Sequence, residues 1–118
     1  MLVAPERLAE AARSTLEDQN NELLFSAASS WEIAIKVGLG KLPLGSPPEI
    51  YVPDRIQRLG LVPIAVEHGD ALAVASLPQH HRDPFDRLLI AQARARSIPV
   101  MTSDPWFARY DVEVFAAA

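Results

Sequence analysis

The chain has 118 residues, with no cysteine, no long apolar run and no excess of basic side chains. Without cysteine there can be no disulfide framework, no thiolate metal site and no cysteine nucleophile. Because no apolar stretch approaches about 20 residues, we expect neither a membrane-spanning helix nor a secretory leader. A cytoplasmic location is therefore the default expectation. Any bound metal must be held by oxygen or imidazole ligands.

Acidic side chains outnumber basic ones, 15 to 11, and the formal net charge is −4. This excess of acidic side chains argues against a protein that binds nucleic acid through a broad basic face, since such binding depends on neutralising several phosphates. It leaves room for a nuclease that gathers carboxylates around a divalent ion, because the ion restores positive charge where the phosphate sits. Hydrophobic residues make up 49% of the chain, which predicts one globular domain over residues 1–118.

Helical and strand patterns alternate along the chain. Apolar spacing, N-cap residues and prolines predict helices over residues 5–18, 29–39, 48–59, 67–77 and 83–97, with a short helix opening at Asp104. Short apolar runs predict strands over residues 22–27, 62–66, 98–102 and 112–115. This alternation predicts an α/β fold with a mostly parallel sheet flanked by helices. In such sheets, functional residues gather beyond the carboxyl ends of the strands.

Three carboxylates fall at that edge of the predicted sheet: Glu32, Asp86 and Asp104. Each lies near a predicted helix N-terminus, where an acid also satisfies free backbone N–H groups. Asp86 is less easily explained in this way, because Asp83 already caps its helix. Several convergent carboxylates are what a phosphodiester hydrolase needs to hold Mg²⁺ or Mn²⁺. The residues alone leave capping and metal binding as alternatives.

Two long runs carry a resemblance to a known family. They are SAASSWEIAIKVGLGKLPL and LPQHHRDPFDRLLIAQARARSIPVMTSDPWFARYDV, joined by an Ala-rich segment. Together they resemble the PIN domain of VapC-type toxins, over nearly the whole chain. The resemblance implies a PIN-like three-layer α/β sandwich. It also implies a Mg²⁺- or Mn²⁺-dependent endoribonuclease that cleaves cellular RNA, is restrained by a VapB-like antitoxin and forms a homodimer.

The resemblance also assigns roles to individual residues. It implies that Glu32, Asp86 and Asp104 are the catalytic metal ligands, and that Thr102 and Ser103 support the site through hydrogen bonds. Asp83 is an auxiliary acid for which the N-cap role suffices. Lys36 and Arg87 are candidate RNA contacts, although Lys36 also stands four residues after Glu32, a spacing that favours an ion pair. His80 and His81 are interpreted as a solvated pair, because an all-oxygen site suits Mg²⁺ better.

The start of the chain departs from the family pattern. PIN domains open with a central strand that ends in the first metal-binding Asp, whereas this chain begins just before the segment PERLAEAAR. We therefore expect the N-terminal strand and its acid to be missing and the neighbouring strand edges to be unpaired. Either the natural start lies upstream, or the chain is a truncated, catalytically impaired toxin that still binds an antitoxin. A third hypothesis is an unrelated Mg²⁺-dependent phosphohydrolase that uses the same carboxylates.

Overall fold

The structure, a computed structural model, describes residues 1–10, 22–78, 83–110 and 112–115. Its centre is a five-stranded parallel sheet with the strand order β3-β2-β1-β4-β5. The strands are β1 (Leu2–Val3), β2 (Leu24–Ser26), β3 (Val62–Ile64), β4 (Val100–Met101) and β5 (Val114–Phe115). Leu2 pairs with Leu24 on one side and with Val100 on the other. The predicted parallel α/β sheet is confirmed.

In the described part of the chain, five α-helices connect and cover the strands. They are α1 (Glu6–Glu10), α2 (Ala27–Gly38), α3 (Pro48–Leu59), α4 (His68–Ala73) and α5 (Pro84–Arg96). Two 3₁₀ helices follow α4 and β4, at Val74–Ser76 and Pro105–Arg109. Most of the first predicted helix, residues 11–18, lies outside the described residues. No helix in the described part of the chain is long and apolar enough to cross a membrane.

Local signals explain why α3 and α5 match their predicted spans closely. Asp83 caps α5 by accepting hydrogen bonds from the backbone of Phe85 and Asp86, and Pro84 occupies the first helical position. Gly60 ends α3 in the left-handed conformation, with a φ of 68°, where glycine has no Cβ to clash. These caps depend on neighbouring residues alone, so the sequence carries them directly.

The core lies on both faces of the sheet, as the alternation of strand side chains requires. Val3 and Phe25 point into one cluster, which packs beneath α3. Leu2 points into the other, where Leu89 and Ile90 of α5 cover the sheet. The sheet is therefore sandwiched between two helical layers, and its three central strands, β2, β1 and β4, are buried, whereas the edge strand β3 is largely exposed.

The expectation of a missing central strand is wrong. Leu2 and Val3 are completely buried in the middle of the sheet, between β2 and β4. Backbone hydrogen bonds join Leu2 N to Pro99 O and Ala4 N to Met101 O, both at 2.9 Å. The expected unpaired edges of β2 and β4 are therefore filled by the chain's first residues. Two apolar residues are too few to show a strand period, so the sequence did not indicate this strand.

Candidate metal and nuclease site

A pocket of about 540 Å³ opens beyond the carboxyl ends of β1, β2 and β4. Five acidic side chains line it: Glu6, Glu32, Asp83, Asp86 and Asp104. The three acids predicted from the sequence are therefore brought together. Lys36 is the cationic side chain that lines this pocket among the described residues. So much negative charge in one concavity suits a cation.

Glu32 projects into the pocket from the second turn of α2 and is only 6% exposed. One of its carboxylate oxygens, Oε2, accepts a hydrogen bond from Lys36 Nζ at 2.8 Å. The other, Oε1, is buried and has no hydrogen-bond donor among the described residues. A buried carboxylate oxygen without a partner costs free energy, because it has lost its water and gained nothing in exchange. Glu32, which lines the pocket, therefore keeps an acceptor oxygen that no described donor uses.

Oxygen atoms of Glu32, Asp83 and Asp86 all lie within 4.8 Å of one another. Asp83 reaches this group from the N-cap of α5, and Asp86 reaches it from the first turn of the same helix. The family resemblance implied only an auxiliary role for Asp83, whereas in the structure Asp83 is one of the three clustered acids. Its capping role and its place in the cluster are compatible, because its position at the helix start serves both.

Crowding of these acids changes the protonation of Asp86. Burial, followed by the negative charges of Asp83 and Glu32, raises the pKa of Asp86 to about 8, with smaller contributions from Asp104 and Glu6. Asp86 therefore keeps its proton at neutral pH in the absence of a cation. A divalent ion in the cluster would reverse the local electrostatics and favour the ionised form.

Glu6 is the acid that sequence reasoning missed. Its Oε1 accepts hydrogen bonds from Thr102 Oγ1 at 2.5 Å, from Ser103 N at 3.0 Å and from Ser103 Oγ at 3.4 Å. Thr102 Oγ1 also accepts a hydrogen bond from Asp104 N at 3.0 Å. Glu6 follows β1 by three residues, as a strand-end acid should. That position would have identified it, had Leu2–Val3 been recognised as a strand.

Asp104 lies apart from the three clustered acids. It lines the pocket, but it does not belong to the group of described acids whose oxygens lie within 4.8 Å of each other. Its Oδ1 accepts a hydrogen bond from Trp106 N at 2.9 Å and thereby caps the short helix Pro105–Arg109. The link through Thr102 holds Asp104 beside Glu6. The pocket thus contains the clustered acids Glu32, Asp83 and Asp86, together with a linked pair, Glu6 and Asp104.

The two candidate RNA contacts have different environments. Lys36 is about half exposed at the pocket, and its hydrogen bond to Glu32 raises its pKa above the usual value. Arg87 is instead buried, and its guanidinium donates to Pro78 O at 2.8 Å and to Val74 O at 3.1 Å. The prediction that Arg87 contacts RNA is therefore corrected: Arg87 links the segment that follows α4 to α5. His80 and His81 lie outside the described residues.

Comparison with known proteins assigns the family. The family model for the PIN domain matches residues 1–113, nearly the whole chain. The chain belongs to the PIN domain family. PIN ribonucleases of the VapC group depend on divalent metal. The acidic pocket offers the oxygen ligands that a divalent ion requires.

Similar proteins include one curated relative and several solved structures. The chain is 51% identical over 57 residues to "Ribonuclease VapC16" of Mycobacterium tuberculosis, a match that covers 48% of this chain and 40% of that protein. VapBC2 of Rickettsia felis, solved with a promoter DNA fragment, matches with a TM-score of 0.72, 14% identity and 97% and 96% coverage of the two chains. A toxin–antitoxin complex of Klebsiella pneumoniae matches with a TM-score of 0.68, 15% identity and 99% and 97% coverage. At these identities the two structures show the shared fold.

The donor set fits the metal that such a PIN domain uses. All five acids offer hard oxygen ligands, which Mg²⁺ and Mn²⁺ prefer, and the described part of the pocket offers no imidazole or thiolate. The unpartnered Oε1 of Glu32 and the raised pKa of Asp86 both indicate that the cluster carries more negative charge than the single ammonium of Lys36 balances. The residues present therefore fit one or two divalent ions.

Proposed function

We propose that this chain is a metal-dependent endoribonuclease toxin of the VapC type, with its active site in the acidic pocket. The observation that carries the proposal is the cluster of carboxylate oxygens of Glu32, Asp83 and Asp86 within 4.8 Å of one another, in which Glu32 also has a buried oxygen, Oε1, with no described donor. In this proposal Glu32, Asp83 and Asp86 hold Mg²⁺ or Mn²⁺, and Asp104 and Glu6 complete the acidic lining. The proposal includes a cytoplasmic location, where the RNA substrate is found.

Each residue contributes a distinct task to hydrolysis of an RNA phosphodiester bond. A bound divalent ion supplies charge neutralisation at the phosphate and lowers the pKa of water nearby. The clustered carboxylates fix its position, and Thr102 with Ser103 hold Glu6 and Asp104 in place. Lys36 orients Glu32 through Oε2 and presents a half-exposed ammonium group to a phosphate oxygen of the substrate.

The antitoxin partner and the homodimer belong to the same proposal. The similar structures named above include complexes described as VapBC2 and as toxin–antitoxin. Their shared fold supports a VapB-like antitoxin as the partner of this chain. The alternative of an impaired toxin that only binds antitoxin was based on a missing strand and a missing acid. Since β1 fills the sheet and Glu6 follows it, we prefer the active enzyme.

The decisive experiment compares Asp86→Asn with Asp54→Asn. Asp54 is a half-exposed acid on α3 paired with Arg58, so it controls for the loss of one carboxylate elsewhere. The unsubstituted protein and Asp54→Asn should cleave RNA in Mn²⁺ or Mg²⁺ and stop in a chelator, whereas Asp86→Asn should not cleave. RNA cleavage by Asp86→Asn would refute the site. Turnover of a small phosphodiester without RNA cleavage would favour the unrelated phosphohydrolase, and antitoxin binding without any cleavage would favour the impaired toxin.

A further inference from the structure

The helices α2 and α5, which carry the clustered acids, pack against each other in antiparallel directions. Three contacts show this: Ser26 meets Gln92, Trp31 meets Phe85, and Glu32 meets Asp86. Along the contact between the two helices, residue numbers therefore rise on α2 in the direction in which they fall on α5. Glu32 lies six residues after Ser26, and Asp86 lies six residues before Gln92. At 1.5 Å per residue, the Ser26–Gln92 contact is about 9 Å along each helix from the acids.

Gln92 lies at a completely buried junction. Its Oε1 accepts a hydrogen bond from Ser26 Oγ, and its Nε2 donates to Ala65 O at 3.2 Å and to Asp70 Oδ2 at 3.3 Å. Both Gln92 and Ser26 are fully buried. The amide has a single orientation that satisfies this set, since Ala65 O and the Asp70 carboxylate can only accept. Both hydrogens of Nε2 are used, so the side chain cannot rotate without losing several bonds.

Ser26 connects Gln92 to the N-terminus of α2. It is the N-cap of α2, and its Oγ accepts a hydrogen bond from Ala28 N at 3.1 Å while donating to Gln92. The N-terminus of α2 is therefore held against Gln92 of α5. At the site end of the helices, Trp31 lies edge-on to Phe85, with ring centroids 4.9 Å apart, but Trp31 is 61% exposed. The buried polar contact is the more restrictive of the two.

We propose that Gln92 is a positioning residue for the acidic site, fixing the axial offset of α2 against α5 and thereby the separation of Glu32 from Asp83 and Asp86. This inference depends on the proposed metal site. Mg²⁺ and Mn²⁺ require ligand oxygens at nearly fixed distances, so a small slide of one helix along the other weakens binding. Hydrogen bonds made directly to metal ligands are commonly worth about tenfold or more in metal affinity, and we take the lower end of that range for Gln92, which holds the helices and not a ligand.

A matched control is available on the same helix. Arg96 donates to Asp70 Oδ1 at 3.1 Å, one turn after Gln92, and so forms the outer arm of the same hydrogen-bond network. Among the described residues, Arg96 makes its hydrogen bonds to Asp70 and to the backbone of its own helix, so it links α5 to α4 and not to α2. Its loss should weaken the fold without changing the offset of α2. Gln92→Met and Arg96→Met therefore separate positioning from general stability.

The experiment titrates Mn²⁺ into each variant and follows the electron paramagnetic resonance signal of the free ion, 20 °C below each melting temperature. We expect Gln92→Met to raise the Kd about tenfold, and Arg96→Met to leave it within twofold of the unsubstituted protein although both variants melt earlier. Ser26→Ala removes the other partner, and the double variant should bind no more weakly than the weaker single variant. If Gln92→Met does not fold, Ser26→Ala replaces it as the variant that tests the proposal.

Three results would overturn the inference, and they are distinguishable. Unchanged Mn²⁺ affinity in Gln92→Met, with a lowered melting temperature, would make Gln92 a core residue only. An equal loss of affinity in Arg96→Met would show that affinity follows stability rather than helix offset. No saturable Mn²⁺ binding by the unsubstituted protein would refute the proposed function, and this inference with it.

Discussion

Asp86→Asn should make the metal-free protein more stable while abolishing its response to metal. In the native state the pKa of Asp86 is raised to about 8, first by burial and then by the charges of neighbouring acids. In the unfolded chain the pKa returns to its ordinary value near 4. Between these two pKa values the native state binds more protons than the unfolded state, so this group lowers stability as the pH rises from about 4 to about 8.

The size of this loss of stability follows from the pKa shift of Asp86. One pKa unit corresponds to about 1.4 kcal/mol, and about three units separate the unfolded-state pKa from pH 7, so without solvent screening the native state would lose about 4 kcal/mol by pH 7. Asp86 is only partly buried, and solvent screening reduces this cost to about 2 kcal/mol. Asparagine has nearly the same shape and no charge, so it removes the penalty. For a chain of this size, we expect a rise in melting temperature of about 8 °C.

Thermal melts at pH 7 in a chelator and in saturating Mn²⁺ test both parts of this prediction. In the chelator, Asp86→Asn should melt above the unsubstituted protein, and the difference should vanish at pH 4. With Mn²⁺ at 100 times its Kd, the unsubstituted protein should gain about 2.7 kcal/mol, whereas Asp86→Asn should gain little. Asp54→Asn should behave like the unsubstituted protein in every condition. A lower melting temperature for Asp86→Asn in the chelator, or an undiminished gain with Mn²⁺, would refute the reasoning.

Three further predictions concern metal binding and the core. Because Asp86 must lose its proton to bind metal, Mn²⁺ affinity should rise about tenfold per pH unit below pH 8 and then level off, as calorimetric titration at several pH values would show. Thr102→Val removes the hydroxyl that links Glu6 to Asp104 and should weaken Mn²⁺ binding about tenfold, whereas unchanged affinity would exclude this pair from the site. Leu89→Ala, fully buried beneath the sheet, should lower the free energy of unfolding by about 2–5 kcal/mol in urea denaturation, and a loss below 1 kcal/mol would contradict its place in the core.

Features that depend on nearby residues were predictable from the sequence. The start of α5 follows from Asp83 and Pro84, which form a cap and a first helical turn without help from the rest of the chain. The parallel sheet follows from strands alternating with helices, and a parallel sheet brings its strand ends to one edge. The gathering of Glu32, Asp86 and Asp104 in one pocket was therefore predictable without knowledge of any contact.

The tertiary structure decided the features that depend on residues far apart in the chain. Leu2–Val3 forms the central strand only because β2 and β4 supply partners on both sides, and this in turn brings Glu6 to the pocket. Arg87 follows Asp86 directly, yet successive helix positions differ by about 100°, so one faces the pocket and the other is buried.

By itself, the sequence determined the N-cap of α5, the spans of α3 and α5 and the edge of the sheet at which the acids gather, because these follow from local hydrogen bonding and from the order of elements. Only the tertiary structure decided which acids cluster, which oxygen of Glu32 is left without a partner and that Gln92 links α2 to α5. The physical reason is that distances of a few ångströms between side chains depend on how distant elements pack. No pattern of residue types along the chain encodes those distances directly.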